Sequence, residues 1–132
     1  YTTGLFTGSD GRAAYQRLTQ IPNASKTVHF LLMAKTGVFA AADHPHVETW
    51  GTPGFSQAAL TNAVREVWIN AHGGEPTDWE SKSAYGFLDG HAEIRTFRQV
   101  WNGTVFIPGT DDALPQYIFI NAFDPMTAER VQ

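Results

Sequence analysis

The dipeptide Asp89-Gly90 constrains this chain more than any other feature. It stands between Tyr85-Gly86-Phe87-Leu88 and His91-Ala92-Glu93-Ile94-Arg95-Thr96-Phe97, two strand-like runs. Asp-Gly in that setting predicts a tight hairpin. A type I′ turn holds both central residues at positive φ, a conformation that Gly, Asn and Asp accept most readily. Ile94 alternates with Glu93 and Arg95, so the second strand is expected to carry one wet face.

The remaining elements are read from periodicity and punctuation. Residues 27–34 (TVHFLLMA) are apolar except for His29 and predict a strand covered on both faces. Residues 38–42 are expected as a partner strand after the Lys35-Thr36-Gly37 turn. Residues 56–71 predict the main helix, about 24 Å long. Its buried stripe would be Ala59, Leu60, Ala63, Val64, Val67, Trp68 and Ala71, with Arg65, Glu66 and Asn70 off it. Gly73-Gly74 would stop that helix. A shorter helix is expected over residues 9–20, capped by Ser9 and Asp10. Residues 43–55, 75–83 and 99–112 read as connections, and Tyr117-Ile118-Phe119-Ile120 as a last strand. The sum is an α+β fold, one long helix packed on an antiparallel sheet of about four strands, in a single domain spanning residues 1–132.

Composition removes several function classes. At 42% hydrophobic residues the chain can build a core without staples. It has no cysteine, which excludes disulfides, thiol chemistry and cysteine-ligated zinc. A net charge of −4 without a basic run gives no footprint for nucleic acid. The longest apolar runs, residues 30–34 and 38–42, are far too short to span a bilayer. Gly-x-Ser-x-Gly and glycine-rich phosphate loops are absent from the sequence.

Three groups of side chains carry potential chemistry. Asp43-His44-Pro45-His46-Val47-Glu48 and Asp89-Gly90-His91-Ala92-Glu93 mix imidazoles with carboxylates, the donors of a zinc or other first-row metal site. His44, His46, His72, His91 and Asp89 are the candidate ligands, for a metal-binding domain or a metal-dependent enzyme. The commoner role of such residues is to bond backbone in loops and turns. Asp111-Asp112, after Pro108-Gly109-Thr110, would offer oxygen donors to calcium, although an acidic turn is more often simply solvated. Trp79 and Trp101, in loop-like segments, are candidate stacking platforms for a carbohydrate. Trp68 belongs to the predicted helix stripe and Trp50 is expected to pack down onto the fold. His29 reads as a core or half-exposed strand residue, and His72 as a cap on the negative end of the long helix.

The segment Tyr85-Gly86-Phe87-Leu88-Asp89-Gly90-His91-Ala92-Glu93 resembles the C-terminal signature of prepilin-type proteins, a His, nine residues, then Asp-Gly, usually followed by His and a β-branched residue. Ala92 replaces that last residue here. Pro22-Asn23-Ala24-Ser25-Lys26-Thr27-Val28 resembles the family's approach to its first head strand. His72-Gly73-Gly74 is similar to the His and glycines that open the motif. The spacing departs from the family: Asp89 follows His72 by seventeen positions rather than ten, and Trp79 occupies the ten-residue position. An insertion within residues 75–83 would account for the difference; a replacement of the family His by Trp79 is the alternative. The resemblance implies a pilin-like head of a type II secretion or type IV pilus-like filament, with His72, Asp89, Gly90 and His91 as motif residues. Its partners would be other pilin-like subunits. It would be periplasmic or extracellular, tied to the inner membrane by an N-terminal helix that this chain lacks. His72 would dock near the hairpin and join the long helix to the sheet.

Overall fold

The computed structural model describes residues 17–40, 42–50, 56–107 and 116–131. The part of the expected first helix before residue 17 lies outside them; residues Leu18–Gln20 form a single 3-10 turn. The described chain is α+β. Strand β1 (Val28–Leu31), helix α1 (Gln57–Val64), strands β2 (Lys82–Phe87) and β3 (Ala92–Thr96), then β4 (Trp101–Ile107) and β5 (Gln116–Asn121), follow one another in that order. The first three strands form an antiparallel sheet in the order β1-β2-β3, and β4 and β5 form a separate antiparallel pair.

The β2–β3 hairpin is where the sequence places it, but its turn differs. Gly90 N–H donates to Phe87 O (3.0 Å) and Phe87 N–H to His91 O (2.9 Å). Gly90 sits at φ +96°, whereas Asp89 is not at positive φ. This is a three-residue loop of the type I turn plus bulge kind, in which a single residue must be left-handed. Gly90 therefore meets the backbone demand, and Asp89 is released for side-chain work.

The long helix is much shorter than its pattern predicts. Ser56 caps it, its hydroxyl accepting from Ala59 N–H at 3.1 Å, and it ends at Val64. Ala59, Leu60 and Ala63 are buried as expected. Beyond Arg65 the chain extends and pairs with the segment after β1. Ala34 N–H donates to Glu66 O, Trp68 N–H to Leu32 O, and Met33 bridges Val67. Burial changes from the helical period to alternation: Val67 and Ile69 are inside, and Trp68 between them is half-exposed under the Lys35 ammonium (3.6 Å from the ring centroid). Trp68 and Ala71 are not part of a buried helix stripe. Glu66, expected to face solvent, is 3% exposed.

Three further expectations are corrected. Residues 38–40 form a turn rather than a partner strand. The connection expected over residues 99–112 contains β4. And β1 is covered on one face only, since His29 and Phe30 are exposed.

The core is an aromatic cluster. Trp50, at the end of the Val47–Trp50 3-10 turn, meets Trp101 (ring centroids 5.4 Å apart), Phe123 (5.7 Å) and Phe97 (6.0 Å). Trp79 stacks on Phe97 at 5.4 Å. Backbone bonds from Val28 N–H to Ala122 O and from Ala122 N–H to Val100 O fasten the end of β5 to both sheets.

Two glycines separate backbone strain from crowding. A Cβ on Gly90 would meet open space, whereas one on Gly74 (φ +93°) would lie 2.7 Å from the Ser81 Cα. Gly90→Ala is expected to cost about 1 kcal/mol through the positive φ alone. Gly74→Ala should lose clearly more, and denaturant unfolding of the two variants will rank them.

Candidate functional site

The Asp-Gly-His hairpin brings four polar side chains around one buried ring. Ser83, Tyr85 and Phe87 alternate inward along β2. The register places Glu93 opposite Tyr85 and Arg95 opposite Ser83, on that same side of the sheet. The Phe87 ring is thereby approached by an imidazole and a guanidinium. The His91 imidazole stacks on it at 4.4 Å with an interplanar angle of 2°, and the Arg95 guanidinium carbon lies 4.8 Å from its centroid. Both contacts favour positive charge over a π face.

Asp89 fixes the imidazole. Its Oδ1 accepts from the His91 amide (3.2 Å) and pairs with His91 Nδ1 (2.5 Å). On the far side of the ring, Nε2 lies 3.5 Å from Glu93 Oε1, and Glu93 also pairs with Arg95. Both imidazole nitrogens thus face carboxylates, which suits imidazolium and leaves no lone pair directed at a metal. The His91 bond holds the Asp89 carboxyl below its ordinary range. The bond from Asp89 raises the His91 pKa, against burial and with further help from Glu93.

A second cluster lies beside a groove at α1. Asp43 Oδ1 pairs with His44 Nδ1 at 2.7 Å, and the His44 bond lowers the Asp43 pKa. The His44 and His46 rings are 4.8 Å apart. The buried Glu66 carboxylate accepts the His46 amide at 2.5 Å and lies 3.4 Å from its Nδ1. Phe39, Thr49, Asn62 and Arg65 complete the groove with His46 and Glu66. Sequence reasoning missed Glu66 because an acid off an apolar helix stripe reads as solvent-facing. The available signal was the β-branched pair Val67 and Ile69, spaced two apart, which favours an extended chain there.

The proposed metal ligands therefore fall into two separate clusters, His44 with His46 and Asp89 with His91. Among the described residues no group of three or more His, Asp or Glu side chains is placed to hold a metal ion. Asp111 and Asp112 lie outside the described residues. The Trp79 and Trp101 rings are in the core, Trp101 with 0% exposure, so neither presents a face to a sugar.

His72 lies well past the end of α1, so it does not cap that helix. It does meet the hairpin, at the open end of β2 rather than at the turn. Its amide donates to Lys82 O (2.9 Å) at the start of β2, the end of the strand opposite Asp89, while Lys82 N–H donates to Gly73 O (2.8 Å). The six residues of β2 separate the two ends by about 17 Å.

Among the described residues no helix is long and apolar enough to cross a membrane. No family model, curated protein or solved structure matches the chain.

Two outcomes follow from this geometry. Trp101→Ala is expected to destabilise the fold by about 3–5 kcal/mol, as for other buried aromatics, and a thermal melt of the variant will read this. The His91 imidazole should titrate above 6.5, and Asp89→Asn should bring its midpoint back down in an NMR titration. Because the folded His91 pKa is raised, its stabilisation is complete below 6.5 and fades as pH rises through the folded value. Because the folded Asp89 pKa is lowered, its share is complete above 3.8 and fades as pH falls through the folded value. The hairpin should be firmest between those limits.

Proposed function

We propose that this chain is the head of a prepilin-type subunit, a structural component of a type II secretion or type IV pilus-like filament that works through protein–protein contacts. The observation that carries the reading is the neck of the loop after His72. His72 and Gly73 exchange backbone bonds with Lys82, so residues 74–81 leave and rejoin the frame at one place. Excising residues 75–81 would leave His72, nine residues and then Asp89-Gly90-His91, the spacing of the family motif. The insertion reading thus has a geometric basis, and the motif on either side of it is architectural.

A second feature favours contact work. The outer face of the β1-β2-β3 sheet carries Phe30, Ala84, Gly86, Ala92 and Ile94, with Lys82 and Thr96 at one end as its polar margin. Phe30 is 62% exposed and Ile94 56%. An open apolar sheet face of this kind marks a surface used by a partner. In this reading the partners are other pilin-like subunits. The pilin-like fold, the periplasmic or extracellular location and the membrane-anchoring helix belong to the same proposal.

The gene supplies the test. A prepilin peptidase site followed by about twenty apolar residues should precede the codon for Tyr1. The full-length product should fractionate with the inner membrane or with sheared surface filaments. A start codon directly before Tyr1, or a product confined to the cytosol, would end the reading.

A further inference from the structure

The free edge of β3 is self-complementary, and this does not depend on the filament reading. The bonds at both ends of the β2–β3 ladder fix which backbone groups face outward. Phe87 N–H donates to His91 O and Phe97 N–H to Ser81 O, so the alternation gives residues 91, 93, 95 and 97 to β2. Ala92, Ile94 and Thr96 then present their N–H and C=O groups to the open edge. No described strand pairs with that edge. Among the described residues no backbone hydrogen bond outside the ladder engages Ala92 or Ile94. Thr96 N–H is held by Gln99 Oε1 at 2.9 Å, which closes the edge at one end.

Charges on an edge strand ordinarily discourage pairing. Here their spacing does the reverse for one partner. If a second copy lies antiparallel with a two-fold axis through Ile94, Ile94 faces its own equivalent in a hydrogen-bonded pair and Ala92 faces Thr96. Glu93 then stands opposite Arg95 on both sides of the axis. Those are non-hydrogen-bonded positions, where side chains come closest and opposite charges attract most. Both side chains are within reach of such a neighbour: Glu93 and Arg95 are 40% and 26% exposed along their side chains and already pair within the chain. The outer face, with Ile94 at its margin, would become one apolar surface running across both copies.

We propose that the chain associates with a second copy of itself through antiparallel pairing of β3 edges about Ile94, forming a continuous six-stranded sheet. Sedimentation velocity over rising concentration should show a monomer–dimer equilibrium. Glu93→Arg or Arg95→Glu alone places like charges opposite each other at two positions and should weaken the dimer about tenfold. The double exchange, Glu93→Arg with Arg95→Glu, restores both pairs and should restore the dimer. Cysteine variants test the register independently of charge, because the chain has no cysteine of its own. Ile94→Cys should oxidise to a disulfide-linked dimer, since its Cα would lie about 5.5 Å from its equivalent. Ala92→Cys, two residues from the axis, should not. A chain that stays monomeric, a dimer indifferent to the single reversals, or cross-linking equally efficient at both positions would overturn the proposal.

Discussion

The fold turns on the indole of Trp50. Its neighbours come from two stretches far from it in sequence: Phe97 and Trp101, on either side of the turn between β3 and β4, and Phe123 after β5. The two sheets are joined through this ring and through the backbone bonds at Ala122. Burying an aromatic side chain of this size is worth several kcal/mol, a large share of the 5–15 kcal/mol that holds a typical domain together. The hairpin and the outer sheet face alike are presented by the frame that this cluster closes.

Parts of this frame were legible in sequence because a local rule decided them. Gly90 had to be left-handed whatever the exact turn, so the hairpin was visible even though the turn class was not. The start of α1 was legible from the apolar period beginning at residues 59 and 60, and Ser56 caps it. The end of α1 was marked only by the β-branched pair Val67 and Ile69, which a helical reading overrode. Val64, Val67 and Trp68 satisfy a helical stripe, and what overrides it is pairing of residues 66–68 with residues 32–34, a long-range event. Strand β4 was hidden by Asn102-Gly103, which reads as a turn but falls at a register irregularity within the strand.

The candidate site divides along the same line. Asp89 and His91 are two residues apart on one turn, so their pairing could be read from the sequence. The contribution of Phe87 and Arg95, which supply the ring and the guanidinium, needed the strand register. Loop-like composition around Trp79 and Trp101 does not imply exposure, because burial is set by what the loop returns to. His72 lies at the end of a helical pattern that the structure does not follow past Val64.

The loop between Gly73 and Lys82 has a longer reach than its role as a spacer. Its ends touch, so a stretch of chain entering there leaves the strands undisturbed. Yet Trp79, near its tip, has become a wall of the interior by stacking on Phe97. Deleting the loop would therefore leave the backbone joined at Gly73 and Lys82, yet it would strip Trp79 from Phe97 and let water into that side of the core.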